Sequence, residues 1–218
     1  MSTGTSTTEI VIQAAASAAT VAAVVVALWG DWFRSKVAAP KLRIELPAPV
    51  GTFVPLSSNS GRLDYTKHIA FYVHCKVVND RKWVRARNVR VLLRAIHRMG
   101  PDGRFMPVPL SVPLQFVWSN SEITPPAVDI QDEQYFDLGC IVNPPSGSSQ
   151  QFLPAFYITS NNFRGNLQAN ECLRYSLQIQ AEHFASERFS VIEVAWDGKW
   201  NENPEVMREH LRISAIHG

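Results

Sequence analysis

Two hydrophobic patterns divide the chain. From Ile10 to Gly30 no residue is charged, and the twenty residues of Ile10–Trp29, IVIQAAASAATVAAVVVALW, contain eight alanines. A helix rising ~1.5 Å per residue carries such a stretch ~30 Å, one hydrocarbon core. From Lys41 onward the period falls to two. KLRIEL (41–46) alternates, and IAFYVHCKVV (69–78) puts Ile69, Phe71, Val73, Cys75 and Val77 on one face. LQFVW (114–118), YFDLGCIV (135–142), FLPAFYIT (152–159), LRYSLQIQA (173–181) and RFSVIEVAW (188–196) are further strand-like runs. Pro154 makes the 152–159 run an edge strand or one that starts after the proline. Pro204 followed by EVMREHL (205–211) predicts a short terminal helix. The pattern predicts a mainly β fold: a β-sandwich of seven to eight strands over 41–218, preceded by one transmembrane α-helix at 10–30. Residues 1–9 form a short polar tail and 31–40 a juxtamembrane linker.

The flanks of the apolar stretch orient it. Only Glu9 precedes it, whereas Arg34, Lys36, Lys41 and Arg43 follow, against Asp31 and Glu45. The positive-inside rule puts the N-terminus outside and the large domain in the cytoplasm, with the chain crossing an inner membrane once. Trp29, Trp32, Arg34 and Lys36 fall where interfacial anchors lie. Ala15, Ala19, Ala23 and Ala27 recur every fourth residue, a spacing that lets two helices approach and form a homo-oligomer. Two rivals stay open. A cleaved signal peptide lacks its basic leader here, and a buried alanine-rich helix rarely needs so long an uncharged run.

The segment VRARNVRVLLRAIHR (84–98) fits two periods. As a helix it shows an apolar stripe of Ala86, Val89, Leu93 and Ile96. As a strand it turns Val89, Val91, Leu93 and Ala95 inward and Arg90, Arg94 and Arg98 outward. The strand is favoured, because the turn Gly100-Pro101-Asp102-Gly103 follows it. Within VVNDRKWVRARNVRVLL (77–93), Asn79 closes one strand and Ala86, Asn88, Val89 and Val91 open the next. That phrase resembles the strand-loop-strand unit of bacterial immunoglobulin-like adhesion-type domains, although Asp80 and Arg81 stand where those domains carry a glycine. The plan of one span and one sandwich is similar to uncharacterised bacterial single-pass membrane proteins. The likeness implies an immunoglobulin-like β-sandwich and no particular activity.

Charge sharpens the picture. Residues 31–104 hold 15 basic and 5 acidic side chains, and residues 105–218 hold 6 and 13, although the whole chain is only +2. Arg81, Lys82, Arg85, Arg87, Arg90, Arg94 and Arg98 form the densest basic run, a candidate surface for lipid or another anion. The alternative is that basic and acidic strands pair across the sheet. Trp83 lies inside the run, available for stacking or for packing at a strand end.

Catalytic signals are sparse. Phosphate-loop, dinucleotide, nucleophile-elbow and zinc-protease motifs are all missing from the sequence, so no cofactor or metal is expected. Asp129, Asp132, Glu133 and Asp137 could hold a hard cation, without the spacing of a calcium loop. Cys75 could be a nucleophile only if His68 or His183 came near. Cys75, Cys140 and Cys172 share no short spacing. An immunoglobulin bridge from Cys75 to Cys140 would want tyrosine at 138, which is leucine, so all three read as reduced thiols. The sequence thus points to a cytoplasm-facing binding, adaptor or sensor module of a membrane complex, with a protein partner and without nucleic acid. Its alternatives are a membrane-bound enzyme or nucleotide-responsive effector, and an extracytoplasmic adhesion-like module.

Overall fold

A computed structural model describes residues 7–37, 39–55, 69–119, 125–143, 150–182 and 184–216. The chain divides into two compact units between Ala39 and Pro40. The first is one continuous helix, α1 (Thr7–Val37), longer at both ends than the uncharged stretch. Its described side chains run from Val11 to Val26, with Trp29, and all are exposed. That run of sixteen is ~24 Å long, short of a ~30 Å hydrocarbon core. Among the described residues no helix is long and apolar enough to cross a membrane.

The second unit is mainly β, in two antiparallel sheets. In the first, β3 (Ile69–Asn79) pairs with β8 (Glu133–Val142), which pairs with β9 (Phe152–Pro154). The other edge of β3 is shared by β1 (Leu42–Glu45), beside its end, and β2 (Thr52–Pro55), beside its start. In the second sheet the order is β13 (Leu211–Ile216), β12 (Ser190–Trp196), β10 (Glu171–Ala181), β4 (Ala86–Met99) and β5 (Phe105–Val108). Short strands β6 (Leu114–Gln115) and β7 (Val128–Ile130) also pair with β4, and β11 (Phe184–Ala185) folds back on β10. The long strands form where the sequence alternates, so the 84–98 segment is a strand and its helical reading is wrong. Their inner faces make one core, with Phe71, Phe116, Phe136, Phe152, Leu93, Ile96, Tyr175 and Trp196 almost fully buried. Burying such side chains at ~25 cal/mol per Å² of apolar surface is what holds the sheets together.

Residues 114–119 tie the two sheets. Leu114 and Gln115 pair with β4, whereas Ser119 N–H donates to Tyr135 O and Asp137 N–H to Val117 O on β8. Of the two readings of the 152–159 run the edge strand holds: β9 lies at the edge of the first sheet and ends at Pro154. Helix α2 (Pro204–His210) has Pro204 in its first turn, and Asn203 Oδ1 caps it by accepting Glu205 N–H at 2.9 Å. The residues after it continue as β13 along the edge of β12.

Two bulges set which residues face out. Opposite Ser176 and Leu177 of β10 the register of β4 jumps from Ala95 to Leu93, leaving Arg94 as the extra residue. Asn88, at φ 52°, makes a second irregularity between Ala86 and Val89. Alternation therefore runs inward through Ala86, Val89, Val91, Leu93 and Ile96. Ile96 takes the inward place that simple alternation assigned to Ala95.

Candidate functional site

The basic run around β4 is where sequence and structure can be compared residue by residue. Three of its seven side chains are neutralised by carboxylates. Lys82 Nζ lies 2.7 Å from Asp132, Arg85 Nε 3.4 Å from Asp129, and Arg98 Nη1 3.0 Å from Glu171. Just outside the run, Lys76 bridges Glu45 at 3.2 Å and Glu133 at 2.9 Å, while Arg43 binds Asp80 at 2.8 Å. Four of these contacts join the basic first half of the sequence to the acidic second half. Strand pairing thus cancels part of the lopsided charge of the linear chain, at a net ~0–1 kcal/mol per exposed pair.

Arg98 departs from the outward face expected of it. The bulge at Arg94 shifts the alternation by one, so Arg98 pairs opposite the core residue Leu173. There its guanidinium binds Glu171 and the carbonyls of Arg164 and Asn166, stitching the sheet end to the 164–166 loop. Arg81 is half-buried and lies over the Trp83 ring at 5.9 Å, so Trp83 stacks on its neighbour in the same turn. Arg87, Arg90 and Arg94 remain. All three are exposed, and none has an ion-pair partner among the described residues.

Asn79 explains the Asn and Ala-x-Asn-Val-x-Val phrase. It is wholly buried, its Nδ2 donating to Val84 O at 2.6 Å and Gln131 O at 3.3 Å, and its Oδ1 accepting Arg81 N–H at 3.1 Å. It closes the turn from β3 into β4 and ties it to the 131–132 turn, where its own N–H donates to Asp132 O. Asn88 supplies the left-handed residue of the β4 irregularity, with its N–H on Asp129 Oδ1.

A second polar cluster lies on the outer face of the first sheet. His74 Nδ1 is 2.7 Å from Asp137 Oδ1 and 3.3 Å from Ser119 Oγ, and Ser119 Oγ–H also donates to Asp137. Tyr72 stacks beside the imidazole, with centroids 6.1 Å apart. The three residue types are those of a nucleophilic triad, but the geometry differs. A triad puts serine on one imidazole nitrogen and the carboxylate on the other. Here both meet Nδ1, and the serine proton is aimed at the carboxylate. The cluster fastens residues 117–119 to β8, and no sequence spacing announced it.

The other sequence candidates are separated by the fold. Asp129, Asp132 and Glu133 each face a different cation, Arg85, Lys82 and Lys76, and Asp137 faces the His74 imidazole. No group of metal-ligating side chains gathers among the described residues. Cys75 is fully buried, and burial drives its thiol far above the normal range, so it is no nucleophile; His68 and His183 lie outside the described residues. Burial also pushes Cys140 up to about 11 and raises Cys172, and all three cysteines are free. A cavity of ≈ 150 Å³ between β1 and the β12–β13 edge is lined by Ile44, Leu46, Phe189, Val191 and Ile216. On α1, Ala15, Ala19 and Ala23 are exposed at four-residue spacing, as is Trp29. The side chains of Ala27, Trp32, Arg34 and Lys36 lie outside the described residues.

No protein-family model matches the chain, and neither a curated protein nor a solved structure matches it.

Proposed function

We propose that the chain is a membrane-anchored binding module, with α1 crossing a bilayer once and an immunoglobulin-like sandwich on its cytoplasmic side. One observation carries this reading. Every described side chain of α1 from Val11 to Val26 is exposed, and none is charged. A helix that is apolar or small all round is unstable against water and is matched by lipid. Its hydroxyls suit that setting, since Ser17 donates to Gln13 O and Thr20 to Ala16 O, each at 2.9 Å. Continuing the sequence to Ile10 and Trp29 gives the length a bilayer requires. The flanking Arg34, Lys36, Lys41 and Arg43 favour a cytoplasmic domain.

The immunoglobulin-like reading draws on strand order. β1, β3 and β8 share one sheet and β4, β10 and β12 the other, so the chain changes sheet from β3 to β4 and from β8 to β10. Immunoglobulin domains distribute strands A, B, E and C, F, G in the same manner. Tyr175, on the strand matching F, donates its hydroxyl to Gly165 O at 2.7 Å, as the tyrosine corner of such domains does to upstream backbone. With Cys75 and Cys172 buried and the Ser119 hydroxyl turned toward Asp137 instead of being aligned in a triad, the domain is suited to binding.

Carbonate extraction of membranes containing the full chain, and of a variant lacking residues 1–39, tests the anchor. The full chain should stay in the pellet and the truncated one should not; release of the full chain refutes the reading. Alkaline phosphatase and fluorescent-protein fusions at the C-terminus then decide the side. Fluorescence without phosphatase activity is expected, and the reverse would favour an extracytoplasmic adhesion-like module.

A further inference from the structure

We propose that Arg87, Arg90 and Arg94 form a docking surface for anionic phospholipid headgroups, an inference that rests on α1 being a membrane anchor. The argument is one of elimination within the basic run. Lys82, Arg85 and Arg98 are committed to carboxylates, and Arg81 is half-buried against Trp83. What remains is a row on one strand.

The two irregularities of β4 put that row on one side. Inward places go to Ala86, Val89, Val91, Leu93 and Ile96, so Arg87, Arg90 and the bulged Arg94 all project from the outer face. With the two extra residues discounted, the row from 87 to 94 is ~18 Å long at ~3.3 Å per residue, enough for more than one headgroup. Beside Arg90 and Arg94 the residues on that face are Leu92 and Ala95 on β4 and Ser176, Gln178 and Gln180 on β10, all uncharged. Two carboxylates border the first arginine. Asp129 is held by Arg85 and the Asn88 N–H, and Glu182 donates its backbone N–H to Arg87 O. Planar guanidinium groups bind phosphate oxygens in pairs, and three left without carboxylates beside the paired Lys82, Arg85 and Arg98 favour an external anion. Attachment of the same chain to a bilayer makes the headgroup the anion at highest local concentration.

The test uses the full chain in lipid nanodiscs. Gln180→Cys, beside Arg90, carries a fluorophore in a Cys140→Ser background, Cys75 and Cys172 being shielded by burial. Quenching by lipids with a nitroxide on the headgroup is compared in purely zwitterionic discs and in discs containing phosphatidylglycerol. Quenching should rise with the anionic lipid and fall with added salt. At about fivefold per arginine, Arg90→Glu/Arg94→Glu should lower the docked-to-free ratio at least about thirty-fold. Arg90→Gln/Arg94→Gln, a milder variant at the same exposed positions, should lose most of it with an unchanged unfolding midpoint. Incorporation without lipid-dependent quenching overturns the surface and leaves the anchor standing. Failure to co-elute with the discs overturns the anchor and the surface together. Arginine-dependent binding of an oligonucleotide, with no response to phosphatidylglycerol, would assign the row to nucleic acid and overturn the lipid proposal.

Discussion

Replacing Asn79 with alanine should cost the folded domain about 2–4 kcal/mol. The side chain is wholly buried and makes three hydrogen bonds, to Val84 O, to Gln131 O and from Arg81 N–H. Each such bond is worth a net ~1 kcal/mol, and a stranded polar partner costs ~1–3 kcal/mol where water cannot reach it. Val84 and Arg81 are only half-buried, so water recovers part of the loss. That places the sum well below three full desolvation penalties. For a domain of this size, with ~2–4 °C of melting temperature per kcal/mol, the shift is about 4–16 °C. Asn79→Asp should be worse near neutral pH, because it replaces the Nδ2 donor with a carboxylate facing two carbonyl oxygens. The assay is urea unfolding followed by the fluorescence of buried Trp118 and Trp196. An alanine variant within about 0.5 kcal/mol of the parent, with an unchanged denaturant slope, would refute the account. The β3–β4 turn would then be held by backbone contacts alone.

Four further outcomes follow. Tyr175→Phe should lower stability by about 1–2 kcal/mol in the same assay, since Gly165 O loses the donor that reaches it inside the core; an unchanged midpoint would remove the tyrosine-corner argument. Gly139→Ala should cost about 1–3 kcal/mol, because a methyl group there meets Leu153 O and the Phe152 ring at the β8–β9 pairing. Titration of native protein with a thiol reagent near pH 8 should find Cys75 silent and Cys140 slow, with full reaction only after unfolding; rapid native labelling of Cys75 would contradict its burial. The Arg43 hydrogen bond holds the Asp80 carboxyl below its ordinary value, so this pair adds stability above pH ~3.9 and loses it as pH falls through the lower folded value. Asp80→Asn should flatten that part of the acid-unfolding curve, and an identical acid limb in the variant would show the pair to be inert.

How much of this was readable from the chain alone depends on the range of the interaction. The helical N-terminal stretch and strands β3, β4, β8, β10 and β12 follow from periodicity, which is a local property of 10 or so neighbouring residues. Asn79 and Asn88 stood out only through the phrase that resembles adhesion-type domains; that one is a buried turn amide and the other a left-handed residue emerged from the fold. Strands β2, β5, β7 and β13 left no comparable trace. They are short and lie along edges, where backbone hydrogen bonds to a partner define the strand and alternation barely registers. The fate of the arginines needed the register. One extra residue at Arg94 turns Arg98 to the core side, and only the pairing of strands distant in sequence brings Glu171, Asp129 and Asp132 to their cations. The His74–Asp137–Ser119 cluster likewise joins residues 18–63 positions apart through adjacent strands. Sequence by itself determined which segments are apolar, which alternate and how much charge each half carries. The tertiary structure decided which charges survive unpaired, because electrostatic pairing depends on separation in space, and a single bulge can change the face from which a side chain projects.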